Sequence, residues 1–333
     1  MRRVAISGLG RIGRTLLRLL LAEPRLEVVA LADAADAGTL AHLLRYDSVH
    51  GTPAFTVTAG EGCLHLAGRR IPLHRPAASM PPPFSEAGAR LVLDCTEAPT
   101  SRAEAARHLG GGVTHVVLAG SCADADRLLF PGLNDADVDW EWDQIITCGS
   151  ATALPLATLI QVLDGAFGLE SAFSTSVHSY TSDQRILDLP HADLRLARAA
   201  ALSIIPTPDS APAEVMAALP RFAGRLAGLA VRVPTPDGCL LDVTARLCAD
   251  AAPEAVHAAF RAMAAQGNLV EVLDEELVSR DLLGRTASCV YDPFLTRCPD
   301  PRLVKCFAWH DNETAHAARL RDACLLLLAG GQP

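Results

Sequence analysis

Three glycines in the run Gly8-Leu9-Gly10-Arg11-Ile12-Gly13 carry the first chemistry legible in this chain. Glycine at this spacing lets the backbone turn tightly and lets a phosphate reach main-chain amides that a side chain would screen. Arg3 to Ser7 before the run reads as a short buried strand. An amphipathic helix follows, with Leu16, Leu17, Leu20 and Leu21 apolar. The glycines therefore fall at a strand-to-helix turn, where helix amides attract a pyrophosphate. A second strand, Leu26 to Ala32, ends at Asp33, 20 positions beyond Gly13. A carboxylate there accepts hydrogen bonds from ribose hydroxyls and repels a 2′-phosphate, so the pattern predicts a site for NAD rather than NADP. The competing reading is a vestigial fold that holds nothing.

These groups need a sheet to position them. Further strands are expected at Arg90 to Asp94, Thr114 to Leu118 and Gln144 to Cys148, with helical stretches between most of them. That alternation predicts a Rossmann domain, a doubly wound parallel sheet. Beyond residue 149 long strands dominate: Ser171 to Ser179, Leu226 to Val233, Cys239 to Leu247 and Leu303 to Trp309. The irregular stretch from Tyr180 to Pro206 is too long for an ordinary connection and reads as functional. The expected architecture is α/β: residues 1–149 plus 312–333 as the dinucleotide-binding domain, and residues 150–311 as an α+β substrate domain with a mostly antiparallel sheet.

Composition narrows the function. The 333 residues suffice for two cores. A formal net charge of -9 lacks the basic footprint that nucleic acid or an anionic membrane requires, so neither is an expected partner. No apolar run approaches the roughly 20 residues that span a bilayer. The N-terminus runs straight into a strand pattern without a cleavable leader, which points to the cytoplasm. The 10 cysteines form no CxxC pair, so a zinc ribbon is not expected and no metal is assigned.

Several runs resemble the glyceraldehyde-3-phosphate dehydrogenase superfamily: Ser7 to Arg14, Arg45-Tyr46-Asp47-Ser48-Val49-His50-Gly51, Val231-Arg232-Val233-Pro234-Thr235, and Trp309-His310-Asp311-Asn312-Glu313. The likeness runs in order over nearly the whole chain. Ala41 to Asp47, Val92-Leu93-Asp94-Cys95-Thr96, Val177-His178-Ser179 with Asp183-Gln184, and His191 to Pro206 look more like the erythrose-4-phosphate dehydrogenase branch. The resemblance implies a homotetramer acting on a small, anionic substrate. It implies that Arg11 and Ile12 line the pyrophosphate, that Thr96 lies near the cofactor, and that Asn312 holds the nicotinamide carboxamide. It makes His178 the catalytic base and gives Arg232, with Thr181, the substrate phosphate. Ser150, Thr152 and Arg198 would surround a second anion site.

The pattern then breaks. Where the family has Ser-Asn-Ala-Ser-Cys-Thr-Thr-Asn-Cys, this chain has Thr147-Cys148-Gly149-Ser150-Ala151-Thr152-Ala153-Leu154-Pro155. The nucleophile falls on Ala151, whose methyl group can form no thioester. Cys148 is a relocated nucleophile on one reading and a small buried hydrophobe on the other. Asp209, in the second anion site, either repels phosphate or points to solvent and caps the next helix. His316 adds a group that titrates near neutrality to the nicotinamide wall. Two functions remain open. One is an enzyme that uses NAD and His178 for thiol-independent chemistry; the other is a non-catalytic NAD-binding or regulatory subunit.

Overall fold

The computed structural model describes residues 2–76, 81–96, 101–182 and 184–330. The chain forms two compact units, Met1–Gly149 with His316–Pro333, and Ser150–Ala315.

In the first unit the elements run β1 (Arg2–Ser7), α1 (Arg11–Leu21), β2 (Leu26–Ala32), α2 (Ala37–Arg45), β3 (Val57–Gly60), β4 (Cys63–Leu66), β5 (Arg69–His74), β6 (Leu91–Asp94), α3 (Arg102–Ala105), β7 (His115–Leu118), β8 (Arg127–Leu128) and β9 (Ile145–Thr147). They build one sheet, ordered β3-β4-β5-β2-β1-β6-β7-β9-β8. From β5 to β8 every pairing is parallel. Period-two alternation makes β1 apolar on both sides. Val4 and Ile6 pack with leucines of α1 and α2, whereas Ala5 packs with Ala30, Phe84 and Val92.

The sheet is not wholly parallel. β3, β4 and β5 form an antiparallel extension. Its β4–β5 turn carries Ala67 at φ 50 and Gly68 at φ 78. Two consecutive left-handed residues match the right-handed twist of a hairpin. Strand and helix alternation alone does not reveal this edge.

The second unit contains α4 (Ala153–Phe167), β10 (Leu169–Ser179), β11 (Ile205–Thr207), α5 (Ala211–Ala218), β12 (Leu226–Val233), β13 (Cys239–Leu247), α6 (Pro253–Ala264), β14 (Val270–Val272), β15 (Cys289–Asp300), β16 (Leu303–His310) and the start of α7 (Thr314–Leu328). Its sheet is ordered β11-β12-β10-β13-β16-β15-β14. Only β10 with β12 and β14 with β15 pair in parallel. α4 is buried from Ala153 to Leu163 except at Gln161, so apolar residues occupy nearly every face of its first three turns. Along β10 the residues Ser174, Ser176 and His178 alternate inward and are buried. Polar side chains on the inner row of a long strand are costly without partners, so this row marks where chemistry can sit.

The unit boundary expected at residue 312 falls instead after Ala315. Asn312 Oδ1 accepts hydrogen bonds from Ser179 and Gly238, and Asp311 Oδ2 accepts one from Gly284 N. These bonds tie the approach to α7 to the second unit, and the helix joins the first core from Ala317 onward. No helix among the described residues is long and apolar enough to cross a membrane.

Candidate active site

The first unit supplies a dinucleotide cradle. Gly8 has φ +86, and a Cβ there would stand 2.8 Å from Thr96 N and Thr96 Cγ2. A Cβ on Gly13 would stand 1.9 Å from Gly8 O. A Cβ on Gly10 would meet no protein atom within 4 Å. Two glycines thus close the turn, and the third leaves space over the first amides of α1. Asp33 locks the turn to β2: its Oδ2 accepts from Leu9 N at 2.6 Å and its Oδ1 from Ala35 N at 2.8 Å. A carboxylate has about four lone-pair positions, so two remain for ribose hydroxyls. Thr96 packs on Gly8 and is held by Asp94 Oδ1, which accepts from Thr96 N at 3.0 Å.

Arg11 and Ile12 open α1, so their amides belong to the helix end that faces a pyrophosphate. The Arg11 side chain turns elsewhere: Nη1 donates to Asp47 Oδ2 at 2.8 Å. Asp47 Oδ1 in turn accepts from Val49 N and His50 N. Burial alone would raise the Asp47 carboxyl, yet the His50 and Val49 amides and the Arg11 guanidinium hold it at about 2. The loop 46–51 after α2 is therefore pinned to α1 by charge.

The second unit places His178 and Arg232 side by side, because β10 and β12 pair in parallel with those two residues in register. His178 Nδ1 lies 2.7 Å from Ser179 O. The Arg232 guanidinium, which has only donors, reaches His178 Nδ1 and also Ser179 O at 3.2 Å. With Nδ1–H donating to Ser179 O, whose second lone pair takes the Arg232 bond, Nε2 is the basic nitrogen of the ring. Thr181 follows in the loop after β10, where its N donates to Gln184 Oε1 at 3.1 Å.

Asn312 is buried just before α7. Its Oδ1 accepts from Ser179 Oγ at 3.0 Å, Gly238 N at 3.2 Å and Cys239 Sγ at 3.1 Å. A backbone N–H can only donate, so the amide oxygen faces Gly238 and the two Nδ2 donors turn away from that cluster.

Ala151 and Thr152 form the turn into α4, with Thr152 as its N-cap. Ser150 N donates to Glu214 Oε2 at 2.6 Å. Glu214 was not singled out by sequence; its signal is the four-residue spacing from Ser210, whose hydroxyl donates to Glu214 Oε1 at 2.7 Å. Asp209 Oδ2 accepts from Ser176 Oγ at 2.6 Å, and its Oδ1 accepts from Ala211 N at 3.0 Å. Asp209 does engage the start of α5, but it points inward to β10 and not to solvent.

Comparison with known proteins decides the family. Residues 2–102 match the glyceraldehyde 3-phosphate dehydrogenase NAD binding domain, and residues 150–312 match the C-terminal domain of the same enzyme. Glyceraldehyde-3-phosphate dehydrogenase 1 of Bacillus cereus is 40% identical over 334 residues, covering 99% of this chain and 100% of that protein. The enzyme of Geobacillus stearothermophilus is 41% identical over 332 residues, covering 99% of each. The chain belongs to the glyceraldehyde-3-phosphate dehydrogenase family.

NAD is accordingly its cofactor, and the cradle fits that group: Gly10 leaves room for it while Gly8 and Gly13 admit no side chain. Three side chains weighed for the chemistry are engaged by the fold itself. Cys148 is 1% exposed in the first unit's apolar core, and burial pushes its thiol up to about 12. A thiol so placed stays protonated and inert near neutral pH. His316 is buried, with Nε2 donating to Ala119 O at 2.7 Å, so that proton is engaged by the fold. Arg198 forms an exposed ion pair with Asp188 at 3.0 Å rather than joining Ser150 and Thr152. Asp183, part of the erythrose-branch likeness, lies outside the described residues.

Proposed function

We propose that this family member is an oxidoreductase that works on a small carbonyl or alcohol substrate without a covalent thiol step. The observation that carries this reading is the pairing of His178 with Arg232 on adjacent strands, in a chain whose residue 151 is alanine. Aligned with the family's active-site run, Ala151 takes the place of the nucleophilic cysteine. An acyl-thioester, and with it acyl phosphate formation, then has no route.

NAD, when bound, supplies or removes the hydride at the substrate carbon. His178 gives a proton to the substrate oxygen on reduction, or takes it on oxidation, through Nε2. The Arg232 guanidinium donates to Ser179 O, the same carbonyl that accepts from His178 Nδ1, and offers its remaining donors, with the Thr181 hydroxyl, to an anionic group of the substrate. By family resemblance Asn312 would hold the nicotinamide carboxamide through Nδ2. Arg11 and Ile12 would bind the pyrophosphate through their amides and Asp33 the ribose, with Thr96 closing the cradle. Ser150 and Thr152 border the substrate next to Ala151. The resemblance of Val177-His178-Ser179 and of His191 to Pro206 to the erythrose-4-phosphate dehydrogenase branch supports a polyhydroxylated aldehyde as the substrate class.

A homo-oligomer, a tetramer by family resemblance, completes the reading. In the second unit the segment from residue 186 to 204 exposes Ile186 at 82%, Leu202 at 83% and Ile204 at 70%. An apolar run of that kind marks a protein contact.

The test is NADH oxidation across a panel of small hydroxyaldehydes and ketoacids. The His178→Gln protein is expected to lose about 10²–10⁴-fold in kcat while NAD affinity stays within about twofold. Equal turnover by both proteins would remove His178 from the chemistry. A second reading, an NAD-binding regulatory subunit, is favoured by the way Arg232 and Glu214 are engaged by the protein itself. It predicts NAD binding with no turnover of any substrate in the panel.

A further inference from the structure

We infer that Glu214 is a specificity-determining residue that fills, from within the chain, the place at the start of α4 where inorganic phosphate would bind. The inference rests on the thiol-independent reading above and extends it to the co-substrate.

The geometry is specific. Resemblance assigns Ser150 and Thr152 to a second anion site at the entry to α4. In the structure that entry already holds an anion: Glu214 Oε2 accepts from Ser150 N at 2.6 Å, and Oε1 accepts from Ser210 Oγ at 2.7 Å. Both bonds are short and charge-assisted. α4 is 15 residues long and its N-cap, Thr152, makes no side-chain capping bond. The positive end of such a helix favours negative charge, and Glu214 provides it. Asp209, just before α5, adds a second carboxylate: its Oδ2 accepts at 2.6 Å from the hydroxyl of Ser176, which stands two residues before His178 on β10.

A phosphate entering here would have to displace a carboxylate that is covalently tethered to the site. The tethered group acts at an effective concentration on the order of millimolar or more. The incoming dianion would also approach Asp209 against like-charge repulsion. This end of the site therefore favours hydroxyl groups or water, which can donate to the carboxylates. The reaction then interconverts carbonyl and alcohol, with one hydride exchanged with NAD and one proton moving to or from the substrate oxygen. No phosphate is consumed and no acyl phosphate is released.

The experiment is calorimetric titration of inorganic phosphate into the NAD-loaded wild type, Glu214→Ala, Glu214→Gln, and Glu214→Ala with Asp209→Thr. The wild type is expected to show no saturable phosphate binding at millimolar concentration. Glu214→Ala should gain at least about tenfold in phosphate affinity, and the double variant more. Glu214→Gln keeps the size of the side chain and an acceptor for Ser150 N, so it carries the test if the alanine variant folds poorly; it too should gain. Phosphate binding by the wild type equal to that of the variants, or no gain in either folded variant, overturns the inference. The readout needs no turnover, so it stands apart from the NADH assay. Failure of the oxidoreductase reading would appear there while the phosphate result remained.

Discussion

The glycine turn separates folding from binding, and two single-methyl substitutions can show it. In Gly13→Ala the new Cβ lands 1.9 Å from Gly8 O and 3.0 Å from Gly8 C. Both obstacles are backbone, so no flexible side chain can yield. Carbon and oxygen need about 3.2 Å, so the first turn of α1 must move away from β1 by roughly 1 Å. Overpacking of this kind costs about 1–3 kcal/mol. The upper part of that range applies here, and alanine's better helix propensity returns at most about 1 kcal/mol. The net loss is about 2 kcal/mol, or a fall in Tm of about 4–8 °C for a unit of this size. Gly10→Ala adds the same methyl where no protein atom lies within 4 Å, at φ -67, a conformation alanine adopts readily. Its Tm should stay within about 2 °C, while the methyl blocks phosphate approach and weakens NAD binding by at least about tenfold. Thermal melts without NAD and calorimetric titration with NAD measure the two effects separately. A Gly13→Ala protein that melts like the wild type, or a Gly10→Ala protein that binds NAD like the wild type, would refute the reasoning.

Other outcomes follow from particular groups. The Asp47 carboxyl is held at about 2 against an ordinary value of 3.8. Its stabilising contribution is therefore complete above about pH 4 and lost as pH falls through about 2. Acid-unfolding curves of wild type and Asp47→Asn should converge over that window, and a constant gap would show that Asp47 does not titrate with folding. A thiol reagent applied to the native protein at mildly alkaline pH should label Cys248, which is exposed, and spare Cys148 and Cys239, whose burial pushes each thiol to about 12. Rapid labelling of Cys148 on peptide mapping would place it outside the core. Ala151→Cys restores a thiol but leaves Glu214 on Ser150 N. It should gain alkylation at residue 151 without phosphate-dependent aldehyde oxidation, and phosphate-stimulated NADH formation by this single variant would count against the role given to Glu214. Leu202→Asp with Ile204→Asp should shift the sedimentation coefficient toward a smaller species, since both side chains are exposed on one protomer; an unchanged value would put the subunit contact elsewhere.

Much of this protein is legible in sequence because local rules and tertiary structure agree. Gly8, Gly10, Gly13 and Asp33 define their own geometry within one strand–turn–helix–strand, so the cradle needs no distant partner to be recognised. Four long strands of the second unit were legible as strand candidates, whereas β15, its longest, was not. Their inner row of Ser174, Ser176 and His178 is a sequence signal in its own right, because buried polar residues on a strand call for partners. The hairpin strands from Val57 to His74 were missed because their alternation is short and their turn uses Ala67 at a positive φ, which composition does not announce.

Tertiary structure alone decided what each charged or reactive side chain faces. Sequence placed Cys148 three residues before Ala151 and left a nucleophile open, but the fold buries it under the first sheet, where desolvation keeps the thiol protonated. It assigned Arg11 to a pyrophosphate, and the fold gave its guanidinium to Asp47, 36 residues away in sequence. It left Asp209 between two orientations and did not note Glu214, which lies 64 residues from Ser150. Spacing along a chain fixes which residues share a strand or a helical face. Electrostatic partners at a distance depend on how strands register and loops close, and those are set by the packing of the whole unit.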